Sequence, residues 1–280
     1  MITNEARYSV QGMCRALKVS RAGYYRWRNR PASRRSQENA ALLKRIGEIH
    51  VAHRQIYGSP RITLALRQEK HLCSENRVAR LMRSSGIRAK VKRKFTRVVT
   101  RTQARYPAAE NRVNRMFTAS QPNRLWVTDM TFIRTREGWL HLAAVLDVCS
   151  RKIVGWSAGS QPTADLAQQA LERALNQRLV RPGLVHHSDQ GAQYANHQYQ
   201  EFLKSKDIVS SMSRKGNCYD NAMIESFFHT LKMEHVYWHS YRSRREAESS
   251  LFDFIELFYN PQRLHTSLGK SPADYEKKFT

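Results

Sequence analysis

The first 120 residues contain no aspartate, and their 6 glutamates face 28 lysines and arginines. That stretch carries +22, whereas the remaining 160 residues, with 20 basic and 17 acidic, carry only +3. Cysteine is also scarce. Cys14, Cys73, Cys149 and Cys218 lie far apart and form neither a CxxC pair nor a zinc-ligand spacing, which excludes a disulfide scaffold and a structural zinc site and suits reduced thiols. No apolar run approaches the ~20 residues that span a bilayer, so no membrane partner is expected. The opening MITNEARYSVQG lacks the apolar stretch of a secretory signal, so a cytoplasmic protein is expected. No internal repeat or low-complexity tract is present.

What is there in excess is positive charge at one end. Each lysine or arginine that neutralises a phosphate releases a condensed counterion, so a polyanionic partner is the plain reading, against a basic surface kept for solubility. Three segments divide the basic half. Residues 1–35 hold two short helices. Val10, Met13, Leu17 and Val19 form an apolar face, and Ser20 caps a second helix bearing Tyr24, Tyr25 and Trp27 beside Arg26 and Arg28. This layout fits a DNA-contacting helix-turn-helix and an ordinary helical hairpin alike. Residues 36–87 read as three helices and a second helical DNA-binding module. Leu42, Leu43, Ile46 and Ile49 recur at helical spacing, Ser59-Pro60 restarts the chain with Ser59 as cap, Ser74 caps the last helix and Gly86 ends it. Residues 88–122 begin with 8 basic residues in 18, Lys90, Lys92, Arg93 and Lys94 among them. They read as a basic arm along phosphates, a reading compatible with a disordered linker.

From Leu125 the pattern changes. LWVTDMTFIR, WLHLAAVLDVCS and RKIVGWSAGS read as three meandering strands, the last two joined by a turn near Ser150. ADLAQQALERALNQRL is an amphipathic helix, LVHHSD and IVSSMS are short buried strands, and HQYQEFLKSK between them is helical. YDNAMIESFFHTLKMEHV is a helix, and RREAESSLFDFIELFYN is another that runs to Pro261. The fold class is therefore α/β, a mixed sheet flanked by helices, preceded by all-α helix-turn-helix-type segments. Residues 123–236 form the catalytic domain of this division, and residues 237–280 a C-terminal helical segment that completes its core.

Three acids sit where acids are costly. Asp129 lies in the apolar strand Trp126-Val127-Thr128-Asp129-Met130, Asp189 ends Val185-His186-His187-Ser188, and Glu225 lies on the helix Asn221–Phe228, with thirty-five residues between the last two acids. A buried carboxylate needs a cation. Three of them, two on strands and one on a helix, could converge on two Mg²⁺ or Mn²⁺ ions, about 4 Å apart, for in-line phosphoryl transfer. Taken singly, Asp129 could be a turn former and Glu225 a solvated helix residue. Asp147, near Ser150 and Arg151, reads as a turn former. His187 and Ser188 flank Asp189, either orienting substrate or as satisfied strand residues. Asn221, His229 and Lys232 share the Glu225 face of the helix. Arg263 and His265 belong to a segment that is either structural or DNA-facing.

The strings WVTDMTFI (126–133), LDVCSRKIVGW (146–156), HHSDQGAQY (186–194), SRKGNCYDNAMIESFFHTLKMEHV (213–236) and YNPQRLHTSLGKSPADY (259–275) resemble the integrase-like transposases of bacterial insertion sequences, in particular the second-frame product of the IS-three family. The resemblance covers essentially the whole chain. It implies an RNase H-like catalytic fold in which Asp129, Asp189 and Glu225 are the DDE triad and metal ligands, with Lys232 in the slot of a DNA-contacting lysine. It also implies metal-dependent 3′-end cleavage and strand transfer on double-stranded DNA, at the element's terminal inverted repeats and a target. A homo-oligomer on DNA, a nucleoid-associated location and an upstream-frame product as fusion or partner are further implications. The competing readings are a non-catalytic DNA-binding protein, for which the basic half would suffice, and a metal-dependent nuclease that cuts without joining.

Overall fold

The computed structural model describes residues 1–4, 6–90, 109–114, 116–214 and 221–279. Lys92, Arg93 and Lys94 lie outside the described residues.

Among the described residues, five α-helices precede the sheet: α1 (Val10–Ala16), α2 (Arg21–Arg28), α3 (Arg34–Ala52), α4 (Ser59–Gln68) and α5 (Glu75–Ser84). Serine hydroxyls start four of them. Ser9, Ser20, Ser33 and Ser74 each accept a hydrogen bond from the backbone N–H three residues on, satisfying one of the donors that a helix start leaves open. α4 departs from expectation. Gly58 is its cap, Ser59 is already helical, and the Ser59 hydroxyl instead reaches Glu75 at 3.3 Å. Pro60 pre-sets the first turn there without a side-chain cap. Gly86 takes φ +69°, the left-handed conformation that ends α5 and that glycine adopts without strain.

The sheet has strand order β3-β2-β1-β4-β5. β1 (Leu125–Thr135), β2 (Gly138–Asp147) and β3 (Ile153–Gly159) form an antiparallel meander, while β4 (Val185–Ser188) and β5 (Val209–Met212) add in parallel on the other side of β1. Alternation along β2 divides two cores. Leu140, Leu142, Ala144 and Leu146 face one side, and Ala143 and Val145 face the other. The second side is covered by α6 (Ala164–Gln177), α7 (Ala192–Ala195) and α8 (His197–Ser205). α6 lies close on β3 because Gly155 has no side chain: a Cβ there would stand 2.3 Å from the Ala170 carbonyl oxygen.

The first side is covered by α9 (Ala222–Glu234) and α10 (Arg244–Phe254). The long final helix does not stay regular. It widens at Ile255–Tyr259 into a π-helical turn, after which Asn260 clasps the start of β3, accepting from Ile153 N and donating to Ile153 O, both at 3.0 Å. A short helix, α11 (Pro272–Glu276), closes the chain. Its Glu276 pairs with Arg178 at 2.8 Å and accepts from the Ser150 hydroxyl at 2.7 Å. The apolar core on this side is continuous with α3–α5: Ile46, Ile49, Ile62, Leu66 and Val78 belong to the same cluster as Val127, Phe227 and Phe254. The mixed sheet, its order and its flanking helices are those of an RNase H-like core preceded by an all-α region.

Candidate functional site

Strand register brings two of the acids level. β1 and β4 run parallel with Leu125 opposite Val185, Trp126 opposite His186 and Val127 opposite His187. Asp129, midway along β1, and Asp189, one residue past the end of β4, each lie two residues beyond the last of these pairs, so the two acids stand level where β4 ends. Glu225 arrives from above. The Asn221 side chain, at the start of α9, donates from Nδ2 to the carbonyl of Thr128 at 3.3 Å, which fastens the helix to β1 one residue before Asp129.

The acids oppose one another's charge. Asp129 keeps some surface, but its carboxyl lies deep among protein atoms. Burial above all, then the charges of Asp189 and Glu225, hold it well above the ordinary carboxylate range. The Met130 N–H, 2.7 Å from Asp129 Oδ1, and the Lys232 ammonium act in the opposite sense. Burial likewise raises Asp189, against a 2.9 Å hydrogen bond from Gly191 N. Gly191 leaves room for this contact, since a Cβ there would stand 2.8 Å from Asp189 Oδ1 and would push that carboxylate aside.

A hard divalent cation takes oxygen ligands and relieves repulsion of this kind. The donor set has the oxygen chemistry such an ion takes: three carboxylates, together with Asn221 Oδ1, a buried oxygen that has no hydrogen-bond partner among the described residues. The carboxylates face one another as charges, not as a closed cage; among the described residues no group of three His, Cys, Asp or Glu side chains is assembled to hold an ion.

Lys232 is not the solvated helix lysine that its position allows. It is 9% exposed, its ammonium stands 4.8 Å from the centroid of the Phe132 ring, and burial lowers its pKa while Asp129 raises it. His187 and Ser188 are satisfied strand residues. His187 Nδ1 lies 2.9 Å from Ser211 Oγ, and the Ser188 hydroxyl donates to the Asp189 carbonyl at 2.9 Å. Asp147 is a fully buried brace for its turn: Oδ1 accepts from Cys149 N and Ser150 N, and Oδ2 accepts from Asn123 N and Trp126 Nε1. Arg263 and His265 are buried or half-buried structural residues, and burial and nearby arginines push His265 down to about 3. Arg26 and Arg28 are exposed on α2, far along the chain from the acids, and Lys90 is exposed at the edge of a groove of about 410 Å³ that also touches Arg61, His229 and Thr266.

Two contributors are not evident from sequence. Asn221 is visible as a residue on the Glu225 face, but its grip on β1 depends on tertiary placement. Tyr194 is fully buried with its hydroxyl 3.5 Å from the Thr128 hydroxyl, directly behind Asp129. Its place at the end of HHSDQGAQY is the one signal that could have drawn attention to it.

Residues 119–218 and 225–279 match two integrase core domain families, and residues 36–95 match an HTH-like domain family. Over 278 residues the chain is 40% identical to the transposase InsF for insertion sequence IS3A of Escherichia coli (strain K12), spanning 98% of this chain and 96% of that protein. It is also 40% identical, over 268 residues, to the insertion element IS600 uncharacterized 31 kDa protein of Shigella sonnei, covering 95% and 98% of the two chains. Among solved structures it is similar to the simian T-cell lymphotropic virus intasome in complex with PP2A regulatory subunit B56 gamma, with 16% identity, 82% of this chain, 74% of the other and a TM-score of 0.49. It is similar as well to the HTLV-2 integrase catalytic core domain in complex with magnesium, with 16% identity, 57% of this chain, 99% of the other and a TM-score of 0.41.

Proposed function

Because the chain belongs to the insertion-sequence transposases of the IS-three family, we propose that it cuts and joins DNA at the ends of such an element, with Asp129, Asp189 and Glu225 as the catalytic carboxylates. The observation that carries this reading is the register of β1 on β4, which levels Asp129 with Asp189, together with the Asn221 anchor that sets the Glu225 helix above them.

Two Mg²⁺ or Mn²⁺ ions, held by the three carboxylates, would supply activation of an attacking oxygen and stabilisation of a leaving oxygen. The protein's own part is to keep Asp129 and Asp189 fixed through the Met130 and Gly191 amides, and to set the Lys232 ammonium where phosphate charge is neutralised. Water attacks a phosphodiester at a terminal inverted repeat and leaves a 3′-OH and a 5′-phosphate; that 3′-OH then attacks a second phosphodiester, forming a new P–O bond as the 3′-oxygen of the attacked strand departs as a hydroxyl. No serine or tyrosine nucleophile is required. Arg26 and Arg28 on α2, and the arm that begins at Lys90 and continues through Lys92, Arg93 and Lys94, bind the duplex by charge. Joining two ends calls for at least two copies on the DNA, and an upstream-frame product is a candidate fusion or partner.

Asp129→Asn, Asp189→Asn and Glu225→Gln should each abolish Mg²⁺-dependent cleavage of terminal-repeat DNA, by roughly 10³-fold or more, and leave DNA affinity near that of the parent. Cleavage retained in any one variant removes that residue from the site. Parent protein that yields cut ends and no joined products is a nuclease, and parent protein that binds without cutting is a DNA-binding regulator.

A further inference from the structure

We propose that Glu234 is a positioning residue, clamped between Arg61 of the second helical module and Arg263 of the C-terminal segment, and that this clamp sets α9 so that Glu225 meets Asp129 and Asp189. The inference rests on the reading of the acid site above and assigns a role to residues outside it.

Glu234 is in the wrong place to serve its own helix. It occupies the last residue of α9, where the macrodipole disfavours negative charge. Its side chain is 13% exposed, so it also gives up most of its hydration. Both costs are offset by charge-assisted hydrogen bonds. Arg263 grips it in a two-pronged fork, Nε to Oε2 at 2.6 Å and Nη2 to Oε1 at 2.7 Å, and Arg61 Nη1 donates to Oε1 at 2.8 Å. These partners hold the carboxyl below the usual range despite its burial.

The two arginines come from opposite ends of the chain. Arg61 lies in the first turn of α4, and Arg263 follows the π-helical turn. Contacts around them fasten the same joint. The Tyr57 hydroxyl accepts from Leu264 N at 2.7 Å, Arg54 pairs with Asp253 at 2.9 Å while lying 4.5 Å from the Phe258 ring centroid, and Gln68 donates to the Gly269 carbonyl at 2.9 Å. α9 is thus pinned at both ends, by Asn221 to β1 at its start and by Glu234 to the module and the C-terminal segment at its finish. Glu225 lies nine residues before Glu234, about 13 Å along the helix axis. Side chains that grip neighbours at both ends restrain the helix from rolling, so the clamp at its finish helps to set the angle at which Glu225 faces the strands. Lys90 and His229 line one groove between module and helix, so Lys90 stands near the helix turn that follows Glu225.

Full-length Arg61→Met changes the clamp from the module side and leaves every acid intact. Mn²⁺ binding to the DNA-free protein, read from the electron paramagnetic resonance signal of free ion, should weaken roughly fivefold or more, in the range of supporting-residue effects at metal sites. Arg61→Lys should restore it, and the melting temperature should stay close to that of the parent. Parent-like Mn²⁺ affinity in folded Arg61→Met overturns the proposal, whether or not the melting temperature falls. Should Arg61→Met fail to fold, Arg263→Lys, which keeps the charge and loses the fork, is measured the same way with the same two outcomes. Glu225→Gln separates the layers. If it loses Mn²⁺ binding while the clamp variants do not, the clamp alone fails; if it retains binding, the reading of the acid site fails and the clamp's role fails with it.

Discussion

On β1, the carboxyl of Asp129 stands where burial, Asp189 and Glu225 all oppose its charge, and only the Met130 amide and Lys232 favour it. A folded-state pKa raised above the unfolded value near 3.9 means that the stability linked to this group is full below about pH 4 and is lost as pH rises through the folded-state value. At neutral pH, where the unfolded carboxyl is ionised, burying this group beside two other acids therefore costs the metal-free protein stability. Asp129→Asn should raise the metal-free melting temperature at pH 7 by about 2–4 °C, equivalent to about 1 kcal/mol for a chain of this size. The gain should shrink as pH falls toward 4, and Mn²⁺ should stabilise the parent but not the variant. An unchanged or lower melting temperature, followed by calorimetry across that pH range, would show that Lys232 already compensates the charge. Such strain is the trade expected of the cation-binding role proposed for Asp129. The acid triplet stands out in the sequence because charged residues in apolar strands and on an apolar helix are conspicuous. Asp147 is as conspicuous, but Ser150 and Arg151 beside it mark a turn former, and its four accepted hydrogen bonds bear that reading out.

At the scale of elements, the strands and most helices were legible because their periodicity is local. β1 to β5 and α6 match apolar alternation and helical spacing in the chain itself. The misses share a cause. α7 is four residues long and has no period to read, Gly58 displaced Ser59 as cap of α4, and the final helix opened into a π turn. That last change depends on a partner remote in sequence: the wider turn delivers Asn260 to Ile153, 107 residues away, where both of its amide atoms are used. Asn260→Ala should cost about 2–3 kcal/mol, since two buried hydrogen bonds are lost and the Ile153 backbone is left unsatisfied. Urea unfolding with an unchanged m value would measure it. A cost below ~0.5 kcal/mol would show that the π turn is held by the packing of Phe254, Phe258 and Tyr259 alone.

Over the whole molecule, charge and core follow different divisions. The charge divides sharply, +22 before residue 121 and +3 after it. The core does not, since α3–α5 share one apolar cluster with the sheet and are joined to α9 and the C-terminal segment by Arg61, Arg54 and Tyr57. Composition made the charge division plain, whereas the shared core was hidden because no local pattern says what an apolar helix face will meet. On the function proposed above, a basic module fixed to the catalytic body would bring bound DNA to the acids with little freedom to lose, so its lysines and arginines should act additively on the same duplex. Replacing Lys90, Lys92, Arg93 and Lys94 with glutamine should lower affinity for DNA of any sequence and flatten the dependence of log K on log salt by about 0.9 for each phosphate contact removed. Titration between 50 and 300 mM salt, on terminal-repeat and unrelated duplexes, measures the slope. A parallel drop on both duplexes marks the arm as a charge contact, and a drop confined to the terminal repeat would instead assign it to base reading. An unchanged slope would take the arm off the DNA and leave α2, with Arg26 and Arg28, and the face of α3–α5 to account for binding.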